Sequence, residues 1–323
     1  MDTLESLQRK LEGAKELGSV VRTMKAMAAA NVGQYEISVL ALGDYFRTVS
    51  MGIFAYFKQE KINSVEIRET PPKKTEKIIC AIVFGSDQGL VGKFNDLLKD
   101  FVLKSFDELN GIKNVWAIGE RVKYLLSDTG YAPTNLFSVP NSVNAITPLV
   151  GEILLKSIEA YERGDIDEVY IFYNQSKSGI GYLPVMQKLF PLDEKWKHTI
   201  NDFTWPTKNI CQIAGDVKLT LLALIHEYLF VSLFKACAES LASENACRLE
   251  SMRRAEKSIN DLLVDLGIQY NGLRQSSIDE ELFDVISGFE ALKKDKVHIL
   301  RKDFPVLQTD DLIIDLEEAL KKV

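Results

Sequence analysis

Residues 4–56 read LESLQRKLEGAKELGSVVRTMKAMAAANVGQYEISVLALGDYFRTVSMGIFAY. Stepping through them alternately by three and four gives Leu4, Leu7, Leu11, Ala14, Gly18, Val21, Lys25, Ala28, Val32, Tyr35, Val39, Leu42, Phe46, Val49, Ile53 and Tyr56. Only Gly18 and Lys25 interrupt this apolar seam. A seam held at a spacing of 3.5 for about seven heptads drifts off one face of a straight helix unless the helix supercoils, so the stretch predicts one strand of a left-handed coiled coil. No proline breaks it: eight of the nine prolines lie between Pro71 and Pro206.

A second proline-free run extends from Thr207 to Phe304. The same step there gives Leu224, Glu227, Val231, Phe234, Ala238, Leu241, Asn245, Arg248, Met252, Ala255, Ile259, Leu262, Leu266, Gln269 and Leu273. Glu227, Asn245, Arg248 and Gln269 make this seam weaker, and buried polar residues of this kind set register at some cost in stability. At about 1.5 Å per residue, a helix over residues 215–290 is on the order of 110 Å long and the N-terminal one roughly 80 Å, too long for the inside of a compact domain. The simplest partner for each helix is the other, paired antiparallel into a rod. Two independent coiled coils, or a self-associating dimer, satisfy the periodicity as well.

Residues 75–205 remain for a compact unit. Lys77–Phe84 (KIICAIVF) reads as a strand, Phe94 to Val102 as a helix, Asn114–Gly119 (NVWAIG) as a second strand and Arg121–Leu126 as a short helix. A longer helix is expected over Val143–Tyr161, a third strand over Glu168–Tyr173, a turn from Asn174 to Gly181, and a fourth strand over Tyr182–Phe190. Strands alternating with helices imply crossovers and a mostly parallel sheet. The expected fold is therefore α/β: a long antiparallel coiled coil of the N- and C-terminal helices with an inserted Rossmann-like α/β domain. The expected boundaries are 1–70, 75–205, 212–292 and an extension over 293–323.

The turn Gly85-Ser-Asp-Gln-Gly89-Leu-Val-Gly92 invites a nucleotide-binding reading, because glycines after a first strand bring backbone amides to a phosphate. Its spacing is neither GxGxxG nor GxxxxGK[ST]. A structural strand-to-helix turn, with Ser86 or Asp87 capping the following helix, is the favoured account.

The formal net charge of −7 and a pI near 5.3 argue against nucleic acid as a partner. No run of eighteen uncharged apolar residues is present, and the first residues lack the pattern of a signal peptide, so a cytosolic protein is expected. Cys80, Cys211, Cys237 and Cys247 form no CxxC pair, and His198, His226 and His298 are scattered, so neither a metal nor another cofactor is expected. Paired carboxylates, a nucleophile elbow and a phosphate loop are all missing. The pattern suits a mechanical or connecting part, with a stand-alone coiled-coil scaffold as the alternative.

Three segments resemble the gamma subunit of F-type ATP synthases. Val20–Ala30 (VVRTMKAMAAA) is similar to that family's N-terminal signature and Ser86–Asn95 (SDQGLVGKFN) to its "SDRGLCGxFN". Glu239–Arg248 (ESLASENACR) and Tyr270–Glu290 (YNGLRQSSIDEELFDVISGFE) are similar to its C-terminal signatures. The resemblance implies a rotor stalk that couples ion flow to ATP chemistry on other subunits. Its partners would be the alpha and beta subunits of the catalytic ring, an epsilon-type subunit and the c-subunit ring. It also implies contact or coupling roles for Met24, Lys25, Glu239, Glu244, Arg274 and Gln275, with Asp279 close to the last two. Asp279 stands where the family tends to have threonine, Asn31 where it commonly has a basic residue, and Gln34-Tyr35-Glu36 lacks the usual basic cluster. The resemblance implies a place on the cytoplasmic face of the cell membrane, reached through the complex.

Overall fold

A computed structural model describes residues 3–59, 76–177, 181–192 and 215–303, isolated positions between 196 and 209, and side chains as far as Leu292. The elements in chain order are α1 (Leu4–Gln59), β1 (Ile78–Phe84), α2 (Phe94–Glu108), β2 (Ile112–Ile118), α3 (Glu120–Ser127), β3 (Asn135–Phe137), a 3-10 turn (Val143–Ala145), α4 (Ile146–Glu162), β4 (Glu168–Lys177), β5 (Gly181–Phe190) and α5 (Val217–Asp303). Two compact units result: Gly18–Ser258, and Met1–Leu17 with Ile259–Val323.

In the larger unit, α1 and α5 run antiparallel. Tyr45 Oη donates to Glu227 Oε1 (2.7 Å), Asn31 Nδ2 to Asn245 Oδ1 (3.4 Å) and Lys25 Nζ to Glu256 Oε2 (2.5 Å), so the residue number falls on one helix as it rises on the other. With one more ion pair, these bonds explain four of the six breaks in the two seams. Lys25, Glu227 and Asn245 each meet a polar partner across the interface, while Arg248 turns back to Glu244 on its own helix (2.7 Å). The departure at Asn31 has a structural use, and Tyr35 is buried in the seam itself. Windows of eighteen residues in α1 and α5 reach mean hydropathies of 1.2 and 1.6, long and apolar enough to cross a membrane; helix pairing accounts for the seam residues among them.

The five-stranded sheet has the order β3-β2-β1-β4-β5, with β1 to β4 parallel and β5 antiparallel to β4. Period-2 alternation divides the core in two. Cys80, Ile82 and Phe84 of β1, with Val169, Ile171 and Tyr173 of β4, face α4 and the terminal helices. Ile79, Ala81 and Val83, with Tyr170 and Phe172, face α2 and α3. Two details differ from the sequence expectation. The three-residue β3 is too short to show alternation. Asn174–Lys177, expected as a turn, continues β4, because pairing down to Lys177↔Gly181 makes it the arm of a hairpin whose polar residues still form ladder bonds.

In the smaller unit, Leu7, Ala14 and Leu266 form a buried cluster with Leu11, Leu263 and Tyr270 packed against it. The seam of α5 there runs through Ile259, Leu263, Leu266 and Tyr270, whereas the expected Leu262, Gln269 and Leu273 are exposed. A helix with 3.6 residues per turn slips against a 3.5 step, and a spacing of four has replaced one of three after Ile259. From Asn271 to Leu292 every side chain is exposed among the described residues.

Candidate functional site

In a doubly wound sheet the ligand crevice lies outside the carboxyl ends of the strands, where the strand order reverses. Here that point is between β1 and β4. It is occupied by the chain itself: Ser240 Oγ of α5 donates to the carbonyl of Phe84, the last residue of β1 (2.9 Å), and Ser243 Oγ donates to the carbonyl of Asn174 in β4 (3.0 Å). Both serines are buried. Asn174 Nδ2 in turn donates to the Phe94 carbonyl at the start of α2 (3.2 Å). The crevice that holds a dinucleotide in related architectures serves here as a seat for α5.

The glycine turn before α2 is structural, though not through the expected cap. Helix α2 begins after Lys93 without a side-chain cap. Ser86 is tied instead to Asn95, its N–H bonding Oδ1 (3.0 Å) and its hydroxyl accepting from Nδ2 (2.8 Å). Asp87 caps a different helix: Oδ1 accepts from the N–H of Glu120, the first residue of α3 (3.0 Å), and Oδ2 from the N–H of Val139 (3.1 Å). Local spacing could not reveal a cap to a residue 33 positions away. Gly85 allows the close approach, since a Cβ there would lie 2.4 Å from the Val122 side chain of α3.

Glu239 and Glu244 flank the two serines and are buried, 7% and 5% exposed, so neither is a solvated surface acid. Glu239 accepts from Gln175 Nε2 of β4 (3.3 Å) and lies 3.9 Å from Lys235. Burial lifts its carboxyl above the usual range, against the opposing pull of Lys235. Glu244 is lifted by burial and further by the Asp87 carboxylate, with Arg248 opposing. Burial likewise raises Tyr173, which Glu239 reinforces. Residues 239–244 thus form a mount that fixes the C-terminal helix to the ends of the central strands. The sequence signal was present in the small residues Ser240, Ala242 and Ser243, which let a helix approach backbone closely, but they were passed over for the charged residues beside them.

A family model described as ATP synthase matches residues 3–292. The chain belongs to the ATP synthase gamma family. Among its relatives, the ATP synthase gamma chains of Sulfurimonas denitrificans and Geotalea daltonii are each 26% identical over 305 and 304 residues, covering 91% of this chain and 100% of theirs. Two solved structures are similar in fold. One, of the Tetrahymena thermophila mitochondrial ATP synthase central stalk and c-ring, gives a TM-score of 0.53 at 19% identity over 73% of this chain and 99% of that one. The other, of the Euglena gracilis mitochondrial ATP synthase, gives 0.57 at 14% over 91% and 95%.

The gamma-family motifs occupy different settings. Met24 is half-buried and Lys25 is engaged with Glu256. The ESLASE segment is the mount, and SDQGLVGKFN is the turn that follows Phe84, the strand end to which Ser240 bonds. Arg274, Gln275 and Asp279 belong to the other compact unit, where they are exposed and have no hydrogen-bond or ion-pair partner among the described residues. Around them Ile278, Leu282, Phe283 and Phe289 are exposed as well. The family match stops at residue 292 while α5 runs on to Asp303; Pro305 and the acidic stretch after it lie outside the described residues.

Proposed function

We infer that this chain is the central-stalk rotor subunit of an F-type ATP synthase, turning between ion flow and the ATP chemistry of the partner subunits. The observation that carries the reading is a gamma-family match over residues 3–292 on paired terminal helices that carry an inserted α/β domain. Its partners are the alpha and beta subunits around the helices, an epsilon-type subunit and the c-subunit ring.

Coupling of this kind needs contacts that differ between the states of the surrounding sites, since a ligand or partner shifts an equilibrium only by its differential affinity. The exposed face of α5 around Arg274 supplies such contacts in this proposal. The guanidinium can hold a partner carboxylate in two places, Gln275 adds a donor and an acceptor, and Asp279 limits how acidic the opposing surface can be. Met24 is assigned a contact on the N-terminal helix, with Lys25 beside it held by Glu256. The complex holds the chain at the membrane, and the cytoplasmic face of the cell membrane is the proposed side.

The test is a native pull-down of the chain with ATP hydrolysis measured on the eluate, run in parallel for Arg274→Ala. The reading expects alpha- and beta-type subunits with ATPase activity that the substitution weakens or uncouples. Recovery of the chain alone, or with unrelated proteins, would support the scaffold reading instead.

A further inference from the structure

In the smaller unit, helix α5 outruns its partner. Helix α1 begins at Leu4, and Leu7 already belongs to the cluster that holds Leu266 and Tyr270, so α1 runs out close to Tyr270. We propose that residues 310–323, which lie outside the described residues, dock as an antiparallel helix on the face of α5 between Ile278 and Phe289. This contact belongs to the chain on its own and does not depend on the rotor reading.

Three observations carry this. The first is an uncovered seam. Ile278, Leu282, Val285, Phe289 and Leu292 follow one another at alternating steps of four and three, and all five are 53% to 70% exposed. That spacing is the one by which a coiled-coil strand receives a partner helix. On α1 no position of the same step is exposed. A row of large apolar side chains in water is the kind of patch that marks an interaction surface.

The second is a matching strand in the sequence. Asp310–Val323 (DDLIIDLEEALKKV) sets Leu312, Leu316, Ala319 and Val323 on the same step, with acids at its start and lysines at its end, the order that suits a helix dipole. Antiparallel pairing makes four layers: Ile278 with Val323, Leu282 with Ala319, Val285 with Leu316 and Phe289 with Leu312. Lys322 and Lys321 then stand level with Asp279 and Glu280, and Asp310 comes within a turn of Lys293 and Lys294. Parallel pairing would instead set Asp310 and Asp311 against Asp279 and Glu280. Asp284 and Glu317 fall level with each other, but off the seam of both helices.

The third is reach. Helix α5 ends at Asp303, and Pro305 follows, where a proline and the residue before it favour leaving the helix. From Asp303 back to Phe289 is about 21 Å of helix, and the residues Phe304–Asp311 span up to about 26 Å when extended. The connection is therefore long enough to bring Leu312 level with Phe289. A tether this short gives an effective concentration on the order of millimolar, which favours the chain's own segment over a second copy.

The test is an engineered disulfide in the full chain, Leu282→Cys with Ala319→Cys, formed under mild oxidant at micromolar protein and located by peptide mapping. The control pair is Leu282→Cys with Glu318→Cys, whose second position lies off the seam. A disulfide closes only where the two Cα atoms come within about 7 Å, so the expected result is a bond within one chain that forms at least about tenfold faster than in the control. A second measurement does not need the cysteines. Leu312→Asn with Leu316→Asn should raise the fluorescence of the apolar dye 8-anilinonaphthalene-1-sulfonate at least about twofold, as the seam is uncovered, while Glu318→Ala leaves it unchanged. Circular dichroism shows that each variant is folded. Bonds formed only between two chains would assign the face to a second copy and overturn the proposal, as would equal rates in the two pairs or unchanged dye binding in Leu312→Asn/Leu316→Asn.

Discussion

Glu239 sits beside a lysine and still holds its proton more tightly than a free carboxyl, because burial outweighs the cation. A carboxyl whose folded pKa is raised contributes stability that is fully present below the unfolded value of about 4.3 and is lost as the pH rises through the folded value. Glu239→Gln removes that loss. Urea unfolding of the two chains between pH 4.5 and 8 should therefore show the variant gaining on the parent as the pH rises. A constant difference across the range would mean that burial does not set this group. Gly85 offers a steric test at the same scale. A Cβ there falls 2.4 Å from Val122, a fully buried residue of α3, so Gly85→Ala should cost about 1–3 kcal/mol in unfolding free energy. The sequence placed both residues in recognisable motifs, yet the burial of Glu239 and the remote cap made by Asp87 arise from packing between segments far apart in the chain, which local spacing does not encode.

At the scale of elements, the N-terminal seam was fully legible: none of the positions from Leu4 to Tyr56 in the three-four step is exposed. The C-terminal seam was legible only as far as Ile259, because a rigid step cannot anticipate where a helix precesses. The two registers agree that Leu266 is buried and differ at Leu262. Leu266→Ala, at a buried position, should destabilise the paired helix ends by about 2–5 kcal/mol, and Leu262→Ala, which is 48% exposed, by no more than about 0.5 kcal/mol. Hydrogen exchange of the amides near residues 7–14 reads both. The mount makes a further prediction. Removing the two hydroxyls in Ser240→Ala/Ser243→Ala leaves the carbonyls of Phe84 and Asn174 without those donors, at about 1–3 kcal/mol each. Exchange protection should fall first at the carboxyl ends of β1 and β4. Unchanged protection there would show that apolar packing alone seats the helix.

For the whole molecule, periodicity gave the helices, alternation gave most of the sheet, and the family motifs gave the role; none of these gave the purpose of the crevice. In this chain the switch point of the α/β domain is taken by α5, which turns a ligand-binding architecture into an anchorage for a helix. That arrangement suits a part through which torque passes, because the domain is joined to the C-terminal helix by buried hydrogen bonds at two central strands. Asn271–Leu292 is exposed throughout, a mixed apolar and charged surface that the proposed contact with the partner ring would use. The most direct test is single-molecule observation of the chain assembled with its alpha and beta subunits on a surface, with a bead attached to the α/β domain and ATP supplied. Sustained rotation of the bead in one direction, dependent on ATP, is the predicted result. A complex that hydrolyses ATP while the bead stays still would contradict the assignment of this chain as the rotor.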